Sequence, residues 1–129
     1  MPAASSIRVL IVDDQQTMRS LIRTGLQQLG FKEFSEAADG EDGLRAVLAR
    51  APQLIISDFN MPKLDGLGLL RAVRGHPPVS KIAFIMLTGR ADRELVQRAV
   101  QYGVNNYLVK PFTVATLKDK IEAVLGQLT

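Results

Sequence analysis

Apolar residues along this chain follow two alternating patterns, short unbroken runs and longer stretches with spacings of three and four. The unbroken runs lie within Arg8 to Asp13, Leu54 to Asp58, Ile82 to Thr88 and Asn106 to Val109, with a weaker one over Phe34 to Ala38. Runs this short, without alternation, predict strands buried on both faces. After each run the period changes. Met18, Leu21, Ile22, Leu26 and Leu29 form one helical stripe, and Leu44, Val47 and Leu48 a second. Leu69, Leu70 and Val73 form a third, and Leu95, Val96, Ala99 and Val100 a fourth. Leu117, Ile121, Val124, Leu125 and Leu128 form the fifth.

The punctuation fits this reading. Gly30 and Gly103 supply left-handed helix stops, Asp39-Gly40 supplies a turn, and Pro52 and Gly75-His76-Pro77-Pro78 break the chain after helices. Five βα units with short connections and right-handed crossovers give an open parallel sheet with helices on both faces. A closed eight-stranded barrel needs more units than these. The expected fold is α/β, a doubly wound five-stranded sheet with five helices. Residues 1–6 are expected as an extended or disordered start, and residues 7–129 as one domain.

Composition narrows the function classes. No apolar run approaches the length that crosses a bilayer, and the absence of cysteine excludes a disulfide scaffold and thiol chemistry. The start carries no apolar segment of signal-peptide type, so a cytoplasmic location without membrane insertion is expected. A net charge of +3 raises nucleic acid as a partner. The basic residues are scattered, however, with Arg19 and Arg23 on one helix, Arg71 and Arg74 on another, and Arg90, Arg93 and Arg98 on a third. Without a basic run or interleaved aromatics they read as solvated helix faces, and no nucleic-acid partner is expected.

Candidate chemistry sits where the apolar runs stop. Four of the five runs end on a distinctive polar residue: Asp13 with Asp14, Asp58, Thr88 and Lys110. Taken singly each has an ordinary structural explanation. Asp14 suits a helix N-cap, Asp58 a loop acid, Thr88 a turn residue and Lys110 a surface charge. In a parallel sheet, though, all four strand ends share one edge, which is where open α/β sheets bind ligands. Three carboxylates brought together there repel one another, so the set calls for a cation, and hard oxygen donors select Mg²⁺ or a similar ion. With metal on one side and the Lys110 ammonium on the other, a phosphoryl group between them has its charge neutralised. Asp58, central in the set, is the expected nucleophile, and Thr88 the expected donor to a phosphate oxygen. No Walker-type loop and no complete dinucleotide glycine pattern is present, and His76 reads as a solvated loop residue.

These residues resemble response-regulator receiver domains, and more narrowly chemotaxis regulators of the CheY type. Asp13-Asp14, Thr17-Met18-Arg19, Leu29-Gly30-Phe31, Glu36-Ala37 and Asp39-Gly40 fall in the family's order. So do Ser57-Asp58, Asn60-Met61-Pro62, Asp65-Gly66-Leu67, Thr88, Lys110-Pro111-Phe112-Thr113 and Thr116-Leu117. The resemblance implies the flavodoxin-like strand order 2-1-3-4-5, for which the family is itself a standard example. It implies Asp58 as phosphoacceptor, and Mg²⁺ held by Asp13, Asp58, Asp14 through water, and the backbone carbonyl of Asn60. Thr88 and Lys110 would contact the phosphoryl group, the Lys110-Pro111 bond would be cis, and Tyr107 would be an aromatic switch. The output face would lie on the last two helices and last strand, with Arg90 and Lys120 contributing. Arg90 would also tune dephosphorylation. Gly89 departs from the Ala usual for that type, and the basic balance, with Arg90, Arg93, Lys118 and Lys120 near the output face, suggests an acidic partner segment.

The implied function is that of a signalling protein and not an enzyme, beyond its own phosphorylation and slow autodephosphorylation. A CheA-like histidine kinase would be the phosphoryl donor to a monomer, and the flagellar motor switch would read the result without an attached output domain. The resemblance leaves room for a phosphatase. A phosphorelay intermediate or phosphate sink, passing the group to a histidine phosphotransfer protein, is the alternative circuit. An aspartate-nucleophile phosphohydrolase is the enzyme alternative, weakened because Asn60 stands where that chemistry needs an acid.

Overall fold

The computed structural model describes residues 3–89 and 93–129. Five βα units follow one another: β1 (Arg8–Val12), α1 (Gln16–Gln28), β2 (Glu33–Ala37), α2 (Gly40–Ala49), β3 (Leu54–Asp58), α3 (Gly66–Arg74), β4 (Ala83–Thr88), α4 (Arg93–Gln101), β5 (Asn106–Val109) and α5 (Val114–Leu125). The strands form one parallel sheet in the order β2-β1-β3-β4-β5. Register is tight around the centre, with Val12 opposite Ser57 and Asp58 opposite Leu87, so the strand ends line up along one edge.

Side chains alternate across the strands, and both faces are covered, which is why the sequence shows runs and not alternation. Val9, Ile11, Leu54, Ile56, Ile85 and Leu87 pack under α1 and α5, against Ile22, Leu26, Leu117 and Ile121. Leu10, Val12, Ile55, Phe84 and Met86 pack under the other three helices, against Val47, Leu70, Val73, Leu95 and Ala99. β2 at the edge, with only Ala37 buried, explains the weakness of its apolar signal.

Several expectations are corrected. Leu21, Leu48 and Val100 stand outside the buried stripes, at 56%, 51% and 61% exposure. At 3.6 residues per turn each lies roughly 80–100° from the centre of its stripe, beyond the reach of the sheet. α5 stops at Leu125, and Leu128 reaches the core from beyond Gly126, whose φ of 88° ends the helix. The start is not extended at residues 4–6: Ala4–Ser6 form a 3-10 turn, because Ala4 is buried and its N–H bonds to the carbonyl of Thr129 at 3.3 Å.

Two close contacts hold the sheet edges in place. Gly66 opens α3 hard against the end of β3, where a Cβ would overlap the Asp58 carbonyl oxygen and lie 2.7 Å from Met86 Sδ. At the opposite edge, Arg74 donates to the carbonyls of Gly103 (3.0 Å), Ser80 (3.0 Å) and Ile82 (2.7 Å) and to Asn105 Oδ1 (2.9 Å). Burial lowers the Arg74 pKa from its ordinary value. One guanidinium thus ties the end of α3 to the segments that lead into β4 and β5. Arg74→Leu strands those acceptors and is expected to destabilise the protein by about 3 kcal/mol in urea unfolding.

Candidate functional site

Asp13, Asp58, Thr88 and Lys110 meet at the carboxyl edge of the sheet, each one at or just past the end of its strand. Carboxylate oxygens of Asp13, Asp14 and Asp58 lie within 4.8 Å of one another. Asp13 is fully buried, Asp58 is 7% exposed, and Asp14 faces solvent. Lys110 Nζ sits 2.7 Å from Asp58 Oδ1 and 3.8 Å from Asp13 Oδ2. Its backbone N–H donates to the Thr88 carbonyl at 2.7 Å, which fixes where the side chain begins. The Lys110-Pro111 peptide is cis.

The ordinary explanations for these residues do not apply here. Asp14 does not cap α1: the cap position is Gln15, and its N–H is taken by Asp13 Oδ1 at 2.9 Å. Asp58 is turned to Lys110, whose Nζ is its ion-pair partner. Among the described residues three buried side-chain atoms have no hydrogen-bond partner, Arg8 Nε, Thr88 Oγ1 and Asp13 Oδ2, and the last two lie at this site. Buried polar atoms in native proteins nearly always have one, so two such atoms at one site are consistent with a bound group there. For Asp13 Oδ2, beside two further carboxylates, that group is a cation. The donor set is hard oxygen with few protein ligands, which fits Mg²⁺. Asn60 is exposed beside the cluster and lines, with Asp14, Gln15, Phe59, Gly89, Leu95 and Lys110, a cleft of about 620 Å³.

The residues expected at the output face are partly brought together. Lys120 Nζ lies over the Tyr107 ring, 4.8 Å from its centroid, so α5 covers the aromatic through a cation–π contact that spacing did not reveal. Arg93 and Lys118 are exposed, and Arg90 lies outside the described residues. His76 is exposed in the loop after α3. Much of the scattered basic charge has a partner in the fold. Arg19 and Arg23 both pair with Glu36, Arg45 pairs with Asp42, and Arg71 lies over Tyr102 at 5.0 Å. Arg74 and Arg19 are the contributors the sequence did not expose, since neither lies at a strand end.

Burial is the main cause that raises the Asp13 carboxyl above its ordinary 3.8; the Gln15 hydrogen bond opposes it, the Asp58 charge adds to it, Lys110 lowers it and Asp14 raises it. A carboxyl raised in the folded state contributes stability below its unfolded pKa and loses it as pH rises through the folded pKa. Metal-free protein at pH 7 therefore has less stability from Asp13 than it has at acid pH. Asp13→Asn is expected to raise the metal-free melting midpoint at pH 7 by roughly 3–8 °C. The gap should close as pH falls toward 3.8.

Comparison with known proteins agrees with this geometry. The family model for the response regulator receiver domain matches residues 9–122. The chain is 55% identical over 128 residues, 99% of each chain, to a probable chemotaxis protein CheY of Rhizobium etli. The solved chemotaxis response regulator CheY4 of Vibrio cholerae superposes with a TM-score of 0.85 at 34% identity, covering 97% of this chain and 100% of that one. The receiver domain of a sensor histidine kinase from Pseudomonas aeruginosa was solved with a magnesium ion coordinated in its active-site cleft. It gives 0.84 at 28% identity, over 94% of this chain and 98% of that one. With an acidic cluster at the carboxyl edge of a 2-1-3-4-5 sheet and a family match across nearly its whole length, the chain belongs to the response regulator receiver family, as a signalling protein of the CheY type.

Proposed function

We propose that Asp58 accepts a phosphoryl group from a histidine kinase, with Mg²⁺ held at the acidic cluster, and that the phosphorylated form binds the flagellar motor switch. The single observation that carries this is the set of groups around Asp58: a Thr88 hydroxyl and an Asp13 oxygen buried without hydrogen bonds, and the Lys110 ammonium 2.7 Å away. A phosphoryl group on Asp58 would accept from the Thr88 hydroxyl and the Lys110 ammonium, and Mg²⁺ would be the partner of the Asp13 oxygen. The name of the Rhizobium etli relative supports the chemotaxis circuit, and the magnesium in the Pseudomonas aeruginosa receiver supports the metal.

In this reading Asp13 and Asp58 are direct carboxylate ligands, Asp14 acts through water, and the Asn60 carbonyl completes the protein ligands. Bound Mg²⁺ neutralises charge on the transferring group. An oxygen of Asp58 attacks phosphorus, the P–N bond of the donor phosphohistidine breaks, and the electron pair leaves with the imidazole. Lys110 stabilises the charge on the phosphoryl oxygens through the transfer, and Thr88 donates to one of them in the product. The new contacts favour one arrangement of Thr88, Tyr107 and the face of α4, β5 and α5. Exposed Arg93 and Lys118 beside Lys120 suit an acidic segment on the partner.

Incubation with acetyl phosphate and Mg²⁺ followed by intact mass measurement tests the acceptor. A hydroxylamine-labile phosphoryl adduct is expected in the parent protein, and none without metal or in Asp58→Asn; an adduct that persists in Asp58→Asn places the acceptor elsewhere. Lys110→Met is expected to slow adduct formation roughly 100-fold, the scale of losing one preorganised electrostatic stabiliser. Calorimetry on the same variant should show Mg²⁺ binding retained, because the cation nearest the carboxylates has been removed.

A further inference from the structure

Asp13 is anchored at every polar atom but one. Its N–H donates to the Ala37 carbonyl at 3.1 Å, and its Oδ1 accepts from the Gln15 N–H at 2.9 Å. Its carbonyl oxygen accepts from Arg19 Nη1 at 2.6 Å. Only Oδ2 is left without a hydrogen bond, buried beside Asp14 and Asp58. Arg19 is the one charged side chain in this set of anchors. It reaches back from the first turn of α1, and its own direction is fixed by Glu36 of β2, whose Oε1 lies 3.1 Å from Arg19 Nε. Glu36 is held in turn by Arg23 at 2.9 Å. The Arg19 side chain is only 16% exposed, so its hydrogen bond to the Asp13 carbonyl is shielded from competing water.

We infer that Arg19 is a positioning residue for the acidic site: by holding the Asp13 carbonyl it fixes the strand-to-helix turn that sets Asp13 Oδ2 beside the Asp14 and Asp58 carboxylates, an assignment that rests on the Mg²⁺ reading of that cluster. The backbone bonds of Asp13 belong to the sheet and the turn and would form in any βα unit. The Arg19 bond does not. It joins α1 and β2 to the end of β1, while the Gln15 N–H at Oδ1 leaves the carboxylate with a single oxygen free of hydrogen bonds. Partners of this kind behind a metal ligand restrict the ligand's orientation before the metal arrives.

The sign of the effect separates positioning from simple electrostatics. Removing a cation close to three carboxylates strengthens their attraction for Mg²⁺ if charge alone matters. Removing an anchor weakens it. Calorimetric titration of the full chain with MgCl₂, at a temperature where circular dichroism shows each variant folded, reads the difference. Arg19→Ala is expected to weaken Mg²⁺ binding roughly 10-fold, the low end of the range for partners behind a metal ligand, and Arg19→Gln less, by about threefold. The two carry the same charge change, so the gap between them reports the hydrogen bond that the Gln amide can still donate. Arg19→Lys, which retains a donor and the charge, should lie within about twofold of the parent. Where Arg19→Ala does not fold, Arg19→Gln carries the test. Unchanged or tighter binding in the neutral variants overturns the assignment, as does an Arg19→Lys protein no better than Arg19→Ala. A parent chain that takes up no Mg²⁺ overturns the metal reading itself, and that failure is distinguished by appearing without any substitution.

Discussion

The repulsion among Asp13, Asp14 and Asp58 is the constraint around which this fold is arranged. Three carboxylates within 4.8 Å interact by roughly 3–4 kcal/mol per pair at the effective dielectric of a protein surface, and the nearest opposing charge, Lys110, neutralises only one of them. A domain of this size has a total stability on the order of 5–15 kcal/mol, so the cluster exists only because the rest of the chain holds it. The holding is visible. Two apolar layers fix the strands, Gly66 lets α3 press against the back of Asp58, and the β4–β5 pairing fixes Lys110.

The two edges of the sheet divide the work. At the amino edge Arg74 satisfies three carbonyls and a side-chain amide oxygen, whose other contact is the Phe84 N–H at 2.8 Å. Those acceptors are all paired, although Arg8 Nε, at the start of β1 on the same edge, is buried without a hydrogen-bond partner. At the carboxyl edge Thr88 and Asp13 keep buried oxygens without partners. Satisfied polar groups stabilise; orphaned ones store a demand for a ligand.

The fold and the constellation were legible in the sequence for one reason: burial on both faces forces apolar runs, and each run stops where the sheet meets solvent. Asp13, Asp58, Thr88 and Lys110 are all marked by that stop. Leu21, Leu48 and Val100 were misread because spacing marks a stripe but not its width, and the sheet covers only part of each helix. Arg19 and Arg74 were read as solvated charges because a guanidinium reaching a backbone carbonyl leaves no signature in the order of residues. What it contacts depends on three-dimensional approach, across 6 positions in one case and up to 31 in the other. The same holds for Lys120 over Tyr107.

Magnitudes also bear on how a change at Asp58 could reach the output face. Moving a two-state element from almost wholly one arrangement to almost wholly the other takes about 5.5 kcal/mol. A hydrogen bond from the orphaned Thr88 hydroxyl to a charged oxygen contributes about 1.5–3 kcal/mol, since no existing bond is given up to form it. Thr88 alone therefore falls short. Lys110 already contacts Asp58, so its gain on phosphorylation is only the difference between one anion and a more highly charged one. In the proposed circuit the remainder would come from the partner. A basic face carrying Lys120 over Tyr107 can supply it, because an acidic segment that binds one arrangement more tightly adds its differential affinity to the bias set at Asp58. On these magnitudes the proposed signal is shared between phosphate and partner, with neither sufficient by itself.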